Sequence, residues 1–412
     1  MPGARRGRGG HRGSVVKGSS DLDSAGSDTV SSGSITRAAP AARPNVRLLQ
    51  PYKPSLRSAR VLLDANEAPT TPKRVRERLE ERLASLDLNR YPSRIRAREV
   101  AAMLESLHGA SESKVVMGNG SNEILLAIHL AFGGPSRRAV YFEPTYTVYS
   151  AISAIVGTKA VAVPRDESFD ISTSSLEQAA SYRPSIVHLC SPNNPTGNED
   201  PPGFAKRVAS AFPDALVVVD RAYAPFGGDS AEADLLKTGN LVIVRTFSKA
   251  AGLAGLRIGY ALAPKSVGEM LEKAVLPYNV DAVSLEAAAA CIEEAESVRK
   301  QEDELAKERD RIFSAIRSHR ELVAFPSAAN FVLFGPRGAG SARKSYRSDS
   351  ERLRLTEMAQ RIFSFLLEKS VLVRDCTSWP GLIGCLRVSA GLPVETDHFI
   401  TALEGAVARI KP

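Results

Sequence analysis

Beyond Lys114 the chain alternates short apolar runs, rich in β-branched residues, with longer stretches of helical periodicity. The runs are Val115–Met117, Ala139–Phe142, Ala160–Val163, Ile186–Cys190, Leu216–Val219, Leu241–Val244 and Ile258–Ala261. Runs this short with hardly a polar position predict strands buried on both faces. The helices between most of them predict a mainly parallel α/β sheet of seven strands. A sheet of that kind receives ligands at the carboxyl ends of its strands, so the residues just after each run are where chemistry is sought.

Ahead of this region, an extended segment (Leu49-Gln50-Pro51-Tyr52, then Val61 to Asn66) leads to a helix starting near Thr71-Pro72. Asn89-Arg90-Tyr91-Pro92 breaks the chain, and a further helix, about Ile95 to His108, ends at Gly109. From Asp281 to about His319 the pattern predicts one long helix, alanine-rich and then charged, of the kind that links two lobes. A smaller α/β lobe follows, with strands at Asn330–Phe334, Val371–Arg374 and Cys385–Ser389, a helix ending near Lys369 and a last helix from Val394. Residues 335–352, with Gly, Ser and Arg, read as an exposed loop insertion. The predicted divisions are a tail at 1–45, an arm and the start of the small domain at 46–90, a large domain at 91–290 and a small domain at 291–412.

Composition narrows the class. With 43% hydrophobic and 24% charged residues in 412, the chain has the make-up of an ordinary globular protein with room for a large core. No apolar run approaches the roughly 20 residues of a membrane helix, so no membrane partner is expected. Of the net charge of +8, residues 1–45 carry +4, which leaves a body too mildly basic to imply nucleic-acid binding. That segment is rich in Gly, Ser, Arg and Ala without hydrophobic periodicity, which predicts a disordered, solvated tail. Its first twenty residues lack an acid, as transit peptides do, but Asp21, Asp23 and Asp28 and the missing apolar core argue against targeting. Cys190, Cys291, Cys376 and Cys385 are scattered, which fits a reducing, cytoplasmic compartment and no disulfide framework. The six histidines show no paired ligand spacing, so no metal is expected.

The richest strand end is Arg245-Thr246-Phe247-Ser248-Lys249, with Arg257 eight residues past the lysine. A lysine at the end of a buried strand, with hydroxyls before it and an arginine after, suits an aldehyde cofactor carrying a phosphate. After Val115–Met117, Gly118-Asn119-Gly120-Ser121-Asn122-Glu123 opens a helix whose first N–H groups can face a phosphate. Glu143-Pro144-Thr145-Tyr146 ends in an aromatic that can lie on a flat cofactor. Ser191-Pro192-Asn193-Asn194-Pro195-Thr196-Gly197 is a stiff loop that fixes a side-chain amide at the sheet edge. Asp220, closing an apolar strand, needs a partner such as a protonated pyridine nitrogen, and Tyr223 three residues on can donate to a ring oxygen. In the small lobe, Arg387 lies within the apolar strand Gly384-Cys385-Leu386-Arg387-Val388-Ser389 and suits a substrate carboxylate. Arg374, closing Val371–Val373, is either a second cationic site or a solvated strand end.

Together these segments resemble the fold-type I pyridoxal-phosphate aminotransferases, and within them the histidinol-phosphate branch, over about Leu48 to Ile410. The most specific parts are Ser191–Gly197, Thr246–Lys249 with Gly255-Leu256-Arg257, Asn89–Pro92 and Gly384–Arg387. The resemblance implies the fold-type I architecture and transamination between histidinol phosphate and 2-oxoglutarate. It implies pyridoxal 5'-phosphate bound to Lys249, with Asp220 on the pyridine nitrogen. Asn194 and Tyr223 would meet the ring oxygen, and Tyr146 would stack on the ring. The phosphate would lie among Ser121, Asn122, Thr246, Ser248 and Arg257. It further implies a homodimer with shared sites, in which Tyr91 reaches the neighbouring subunit's cofactor phosphate. Arg387 would grip the amino donor's carboxylate beside Asn194, and Arg374, with Tyr52 of the partner chain, the substrate phosphate.

The chain departs from the family at Asp220-Arg221-Ala222-Tyr223, where the family usually has Asp-Glu-Ala-Tyr, and in its long basic tail and the 335–352 segment. Two rivals keep the same machinery: an aromatic or broad-range aminotransferase, and a decarboxylase of the threonine-phosphate type. A regulator that only senses the cofactor would carry a helix-turn-helix domain ahead of this fold, and residues 1–45 are too short and too Gly/Ser-rich for one.

Overall fold

The computed structural model describes residues 40–51, 58–225, 231–340 and 348–410. Among the described residues, twelve strands form two sheets. In chain order they are β1 Val61–Leu63, β2 Ser113–Asn119, β3 Arg138–Glu143, β4 Lys159–Pro164, β5 Ile186–Cys190, β6 Leu216–Asp220, β7 Leu241–Thr246, β8 Ile258–Pro264, β9 Leu322–Ala324, β10 Phe331–Pro336, β11 Val371–Asp375 and β12 Leu386–Ser389.

All seven apolar runs become strands of one sheet, in the order β2-β8-β7-β6-β5-β3-β4. Only β8 runs against its neighbours, β2 and β7, and every other pairing is parallel. Every residue of β5 and β6 is buried. The pleat sends alternate side chains to opposite faces: Val217 and Val219 enter one hydrophobic core, Leu216 and Val218 another. Two-sided burial explains the unbroken apolar character of these central strands, while the edge strand β4, expected to be buried on both faces, alternates buried and exposed positions because it has a neighbour on one side only.

The second sheet, ordered β1-β11-β12-β10-β9, is antiparallel except for the β1–β11 pair. Its core gathers Val332, Phe334, Val373, Val388 and Phe399, under the helices Asp349–Glu368 and Pro393–Ala408. Strand β1 lies far upstream in sequence and joins through Val61↔Val371 to Leu63↔Val373, so the N-terminal arm completes a sheet made otherwise of C-terminal residues.

Three further expectations need correction. The helix expected over 281–319 is two, Ala282–Glu293 and Ala295–Arg317, separated at Glu294. The first is buried on nearly every side from Ser284 to Cys291, as a helix inside a core must be. The second carries a single buried stripe that begins at Ala295 and Val298 in the first core and ends at Ile312 and Ile316 in the second. One straight axis cannot serve both packings. The tail expected over 1–45 ends sooner: Arg43 opens the unit that runs to Pro412, and Arg43 and Asn45 donate to the carbonyls of Ile155 and Ala154 beside a short helix, Pro44–Arg47. The loop expected over 335–352 has narrower bounds: Gly335 and Pro336 finish β10, Ala339 and Gly340 are buried, and a helix starts at Asp349. Residues 1–39 and 341–347 lie outside the described residues.

Candidate active site

Strands β5, β6 and β7 lie side by side, β5 and β6 ending level and β7 running two residues further, which brings the residues that follow them to one edge of the sheet. Phe247, fully buried, anchors the turn after β7 and leaves Lys249 facing the middle of that edge. The Lys249 ammonium donates to the Ala65 carbonyl at 3.1 Å and lies 5.6 Å from the centre of the Tyr223 ring. Removal from water lowers its pKa from 10.5 to about 8, with Arg387, Arg257 and Arg374 adding repulsion against the opposing Glu67. The amine is therefore partly neutral near physiological pH.

Asp220 closes β6 and is 97% buried, since its relative exposure is 3%. Its carboxylate accepts the Tyr149 hydroxyl at 2.7 Å and the Ala222 N–H at 3.1 Å. Burial raises its pKa, while those two bonds and the Lys249 charge hold it down. Tyr149 is itself buried, and its ring stacks on His188 at 4.4 Å between centroids.

A donor-rich cradle forms where β7 and β8 meet the start of the helix Gly120–Phe132. The Ser248 N–H donates to Thr246 Oγ1 at 3.1 Å, Thr246 Oγ1 donates to Ser248 Oγ at 3.0 Å, and Arg257 Nη1 donates to Ser248 Oγ at 3.1 Å. Arg257 adopts φ +51°, which turns its guanidinium back over the helix start. Two glycines permit this closeness. A Cβ at Gly120 (φ +76°) would fall 2.5 Å from Arg257 Nη2, and one at Gly259 would fall 2.3 Å from the Ser121 nitrogen. Two hydroxyls, a guanidinium and the first N–H groups of a 13-residue helix make a donor set that fits a phosphate ester.

Tyr146 faces the cradle's other side, its hydroxyl donating to Asn122 Oδ1 at 3.2 Å. In the loop after β5, Asn193 is wholly buried. It accepts from Thr145 Oγ1 at 2.7 Å and donates to the Pro144 carbonyl at 2.9 Å, which stitches this loop to the one after β3. Its neighbour Asn194 is left facing the second sheet, where its Oδ1 accepts from Arg387 Nη1 at 2.6 Å. Arg374 on β11 sits directly opposite Arg387 on β12. Both arginines donate to the Asp64 carbonyl, at 3.2 and 2.8 Å, and the Asp64 carboxylate lies 3.6 Å from Arg374.

Comparison with known proteins places the chain. Residues 58–403 match the family model of aminotransferase class I and II. The chain belongs to that family. It is 32% identical over 365 residues to histidinol-phosphate aminotransferase of Aquifex aeolicus, covering 88% of this chain and 97% of that one. The enzyme of that name from Frankia casuarinae is 37% identical over 382 residues, covering 88% and 89%. Among solved structures, histidinol-phosphate aminotransferase from Sinorhizobium meliloti in complex with pyridoxal-5'-phosphate superposes with a TM-score of 0.77 at 23% identity, over 91% of this chain and 100% of that one. L-threonine-O-3-phosphate decarboxylase from Porphyromonas gingivalis shares the fold, with a TM-score of 0.68 at 23% identity over 84% and 99%.

Of the residues singled out from sequence, Ser121, Asn122, Tyr146, Asn194, Asp220, Tyr223, Thr246, Ser248, Lys249, Arg257, Arg374 and Arg387 gather at or beside this edge. Tyr91 does not join them: it is 79% exposed and stacks on Tyr278 with ring centres 4.7 Å apart. Tyr52 lies outside the described residues. The unusual Arg221 points to Glu199, 3.5 Å away, so its charge is balanced within the wall of the site. Sequence reasoning missed Tyr149 and the segment Asp64-Ala65-Asn66. That segment follows β1, and three polar or backbone groups after an apolar run are the signal already used at the other strand ends.

Proposed function

We propose that the chain is a pyridoxal-phosphate-dependent aminotransferase. It would interconvert L-histidinol phosphate plus 2-oxoglutarate with imidazole acetol phosphate plus L-glutamate. The observation that carries the substrate is the pair Arg374 and Arg387, set opposite each other and steadied by one carbonyl. Two guanidinium forks side by side suit substrates that each carry a strong anion: a phosphate on one, carboxylates on the other.

The residues present fit the cofactor, whose phosphate matches the Thr246–Ser248–Arg257 cradle and whose ring nitrogen would need the buried Asp220. When bound, pyridoxal phosphate supplies an aldehyde for the amine and a ring that withdraws the electron pair left at Cα. Lys249 would hold the cofactor through its amine. Its nitrogen, neutral above about pH 8, would accept and carry the proton held at the substrate's Cα. Asp220, as carboxylate, would keep the ring nitrogen protonated. Tyr223 would donate to the ring oxygen, and Asn194, whose Oδ1 is engaged by Arg387, would turn its amide N–H groups to the same atom. Arg387 orients the donor carboxylate and Arg374 the substrate phosphate, and the same residues serve both half-reactions in turn.

Three further assignments belong to this reading. The seven-stranded sheet forms a large domain, and the five-stranded sheet a small one to which β1 contributes. The enzyme is a homodimer. Leu88, Tyr91, Ile95, Leu276 and Tyr278 are each at least half exposed, which leaves an apolar surface for a second copy. It works in the cytoplasm, in keeping with four free cysteines.

The test is product analysis with purified protein, pyridoxal phosphate, L-histidinol phosphate and 2-oxoglutarate. The expected result is one glutamate for each imidazole acetol phosphate formed. Carbon dioxide released from O-phosphothreonine with no keto acid consumed would overturn the reading in favour of a lyase.

A further inference from the structure

Asn66 is the least exposed residue of the segment after β1, at 1%, and stands in the left-handed region at φ +54°. Every polar group it owns is used. Its backbone N–H donates to Ser389 Oγ at 2.9 Å, and its carbonyl accepts from Asn330 Nδ2 at 3.1 Å. Its Oδ1 accepts from Ser389 Oγ at 3.1 Å, and its Nδ2 donates to the Tyr223 hydroxyl oxygen at 3.0 Å.

The Ser389 hydroxyl decides which way the amide faces. Ser389 Oγ accepts the Asn66 N–H and donates its own proton to Asn66 Oδ1, so the oxygen of the amide lies on that side. The NH₂ group is thereby turned to Tyr223. A phenol oxygen that accepts from Asn66 holds its own proton for another acceptor. Tyr223 stays protonated, since burial raises its pKa. Ser389 lies two residues past Arg387 on the same strand, so the device ties the carboxylate-binding strand to the cofactor side of the site.

We infer that Asn66 is a positioning residue for Tyr223, fixing its hydroxyl as a one-way donor toward the cofactor's ring oxygen. The inference rests on the reading that Tyr223 meets that oxygen. A donated bond favours the deprotonated form of the lysine-bound cofactor, whose charge resides largely on that oxygen, so it lowers the pH midpoint of its visible absorbance. In Asn66→Asp, of the same shape, an acceptor replaces the NH₂ group and competes for the phenol proton. In Asn66→Gly the bond is simply lost, and glycine accepts the left-handed backbone.

The experiment is a spectrophotometric pH titration of the holoenzyme in the wild type, Asn66→Asp, Asn66→Gly, Tyr223→Phe and the double variant Asn66→Gly/Tyr223→Phe. Expected is a rise of about one pH unit for Tyr223→Phe and a rise of the same sign for both Asn66 variants. The double variant should match Tyr223→Phe alone. A midpoint unmoved in Asn66→Gly while Tyr223→Phe moves it would overturn the inference and spare the reading of Tyr223. A midpoint unmoved by Tyr223→Phe would overturn both. Additive shifts in the double variant would also overturn it, because Asn66 would then act by another route. If Asn66→Gly fails to fold, Asn66→Asp against Tyr223→Phe decides.

Discussion

Replacing Tyr149 by phenylalanine isolates one interaction of the proposed mechanism. The hydroxyl that reaches Asp220 at 2.7 Å disappears, while the ring remains, stacked on His188 at 4.4 Å and edge-on to Tyr146 at 5.7 Å. Asp220 is left with the Ala222 N–H at 3.1 Å. A hydrogen bond to a buried charged group is worth about 1.5–3 kcal/mol. Without it the Asp220 carboxylate becomes a stronger base and draws the ring proton toward itself, which weakens electron withdrawal where it is needed. A loss of about 2 kcal/mol corresponds to roughly 30-fold in rate. The assay is single-turnover reaction with L-glutamate at saturating pyridoxal phosphate, alongside thermal unfolding to confirm that the variant is folded. A rate within about twofold of the wild type, in a folded variant, would refute the claim that Tyr149 supports Asp220.

Arg374→Gln should raise KM for histidinol phosphate by roughly 30-fold and leave KM for glutamate within a few-fold, read from steady-state kinetics with each substrate varied. Arg387→Gln should weaken glutamate binding instead. Apoprotein should capture pyridoxal phosphate faster as pH rises, because the neutral Lys249 amine is the nucleophile; the midpoint, followed by absorbance, should lie near 8 rather than 10.5. His129 is fully buried and burial lowers its pKa from 6.5 to about 4, so the unfolded chain binds the proton more readily than the folded one. Stability should therefore fall by up to about 3 kcal/mol as pH drops from 6.5 toward 4, and His129→Gln should flatten that limb in denaturant titrations.

How much could be read in the sequence follows from where each signal resides. The central strands of the large sheet were legible because burial on both faces favours apolar residues, and every residue of β5 and β6 is buried, whereas the edge strand β4 alternates buried and exposed positions and was legible by its apolar residues alone. Strands β1 and β9 have three residues each and owe their existence to partners elsewhere, β11 for one and β10 for the other. The break at Glu294 was hidden because both flanking segments are good helix formers, and only the change of packing partner separates them. Asp220 was legible because a polar residue that closes a buried strand is costly without a purpose, and Lys249 and Asn194 because they follow within a few residues of such strands. Tyr149 and Asn66 were not, since a tyrosine inside a helix and an asparagine after a short strand acquire meaning only from Asp220 and Tyr223 across the fold.

The central claim is tested most directly by a half-reaction. The yellow holoenzyme is mixed with L-histidinol phosphate, and in a separate cell with L-phenylalanine, with no keto acid present, and the absorbance of the lysine-bound cofactor is followed. Rapid bleaching by histidinol phosphate, with phenylalanine far slower, is the result this account predicts. A response to phenylalanine as fast or faster would contradict it and leave Arg374 with no part in choosing the substrate.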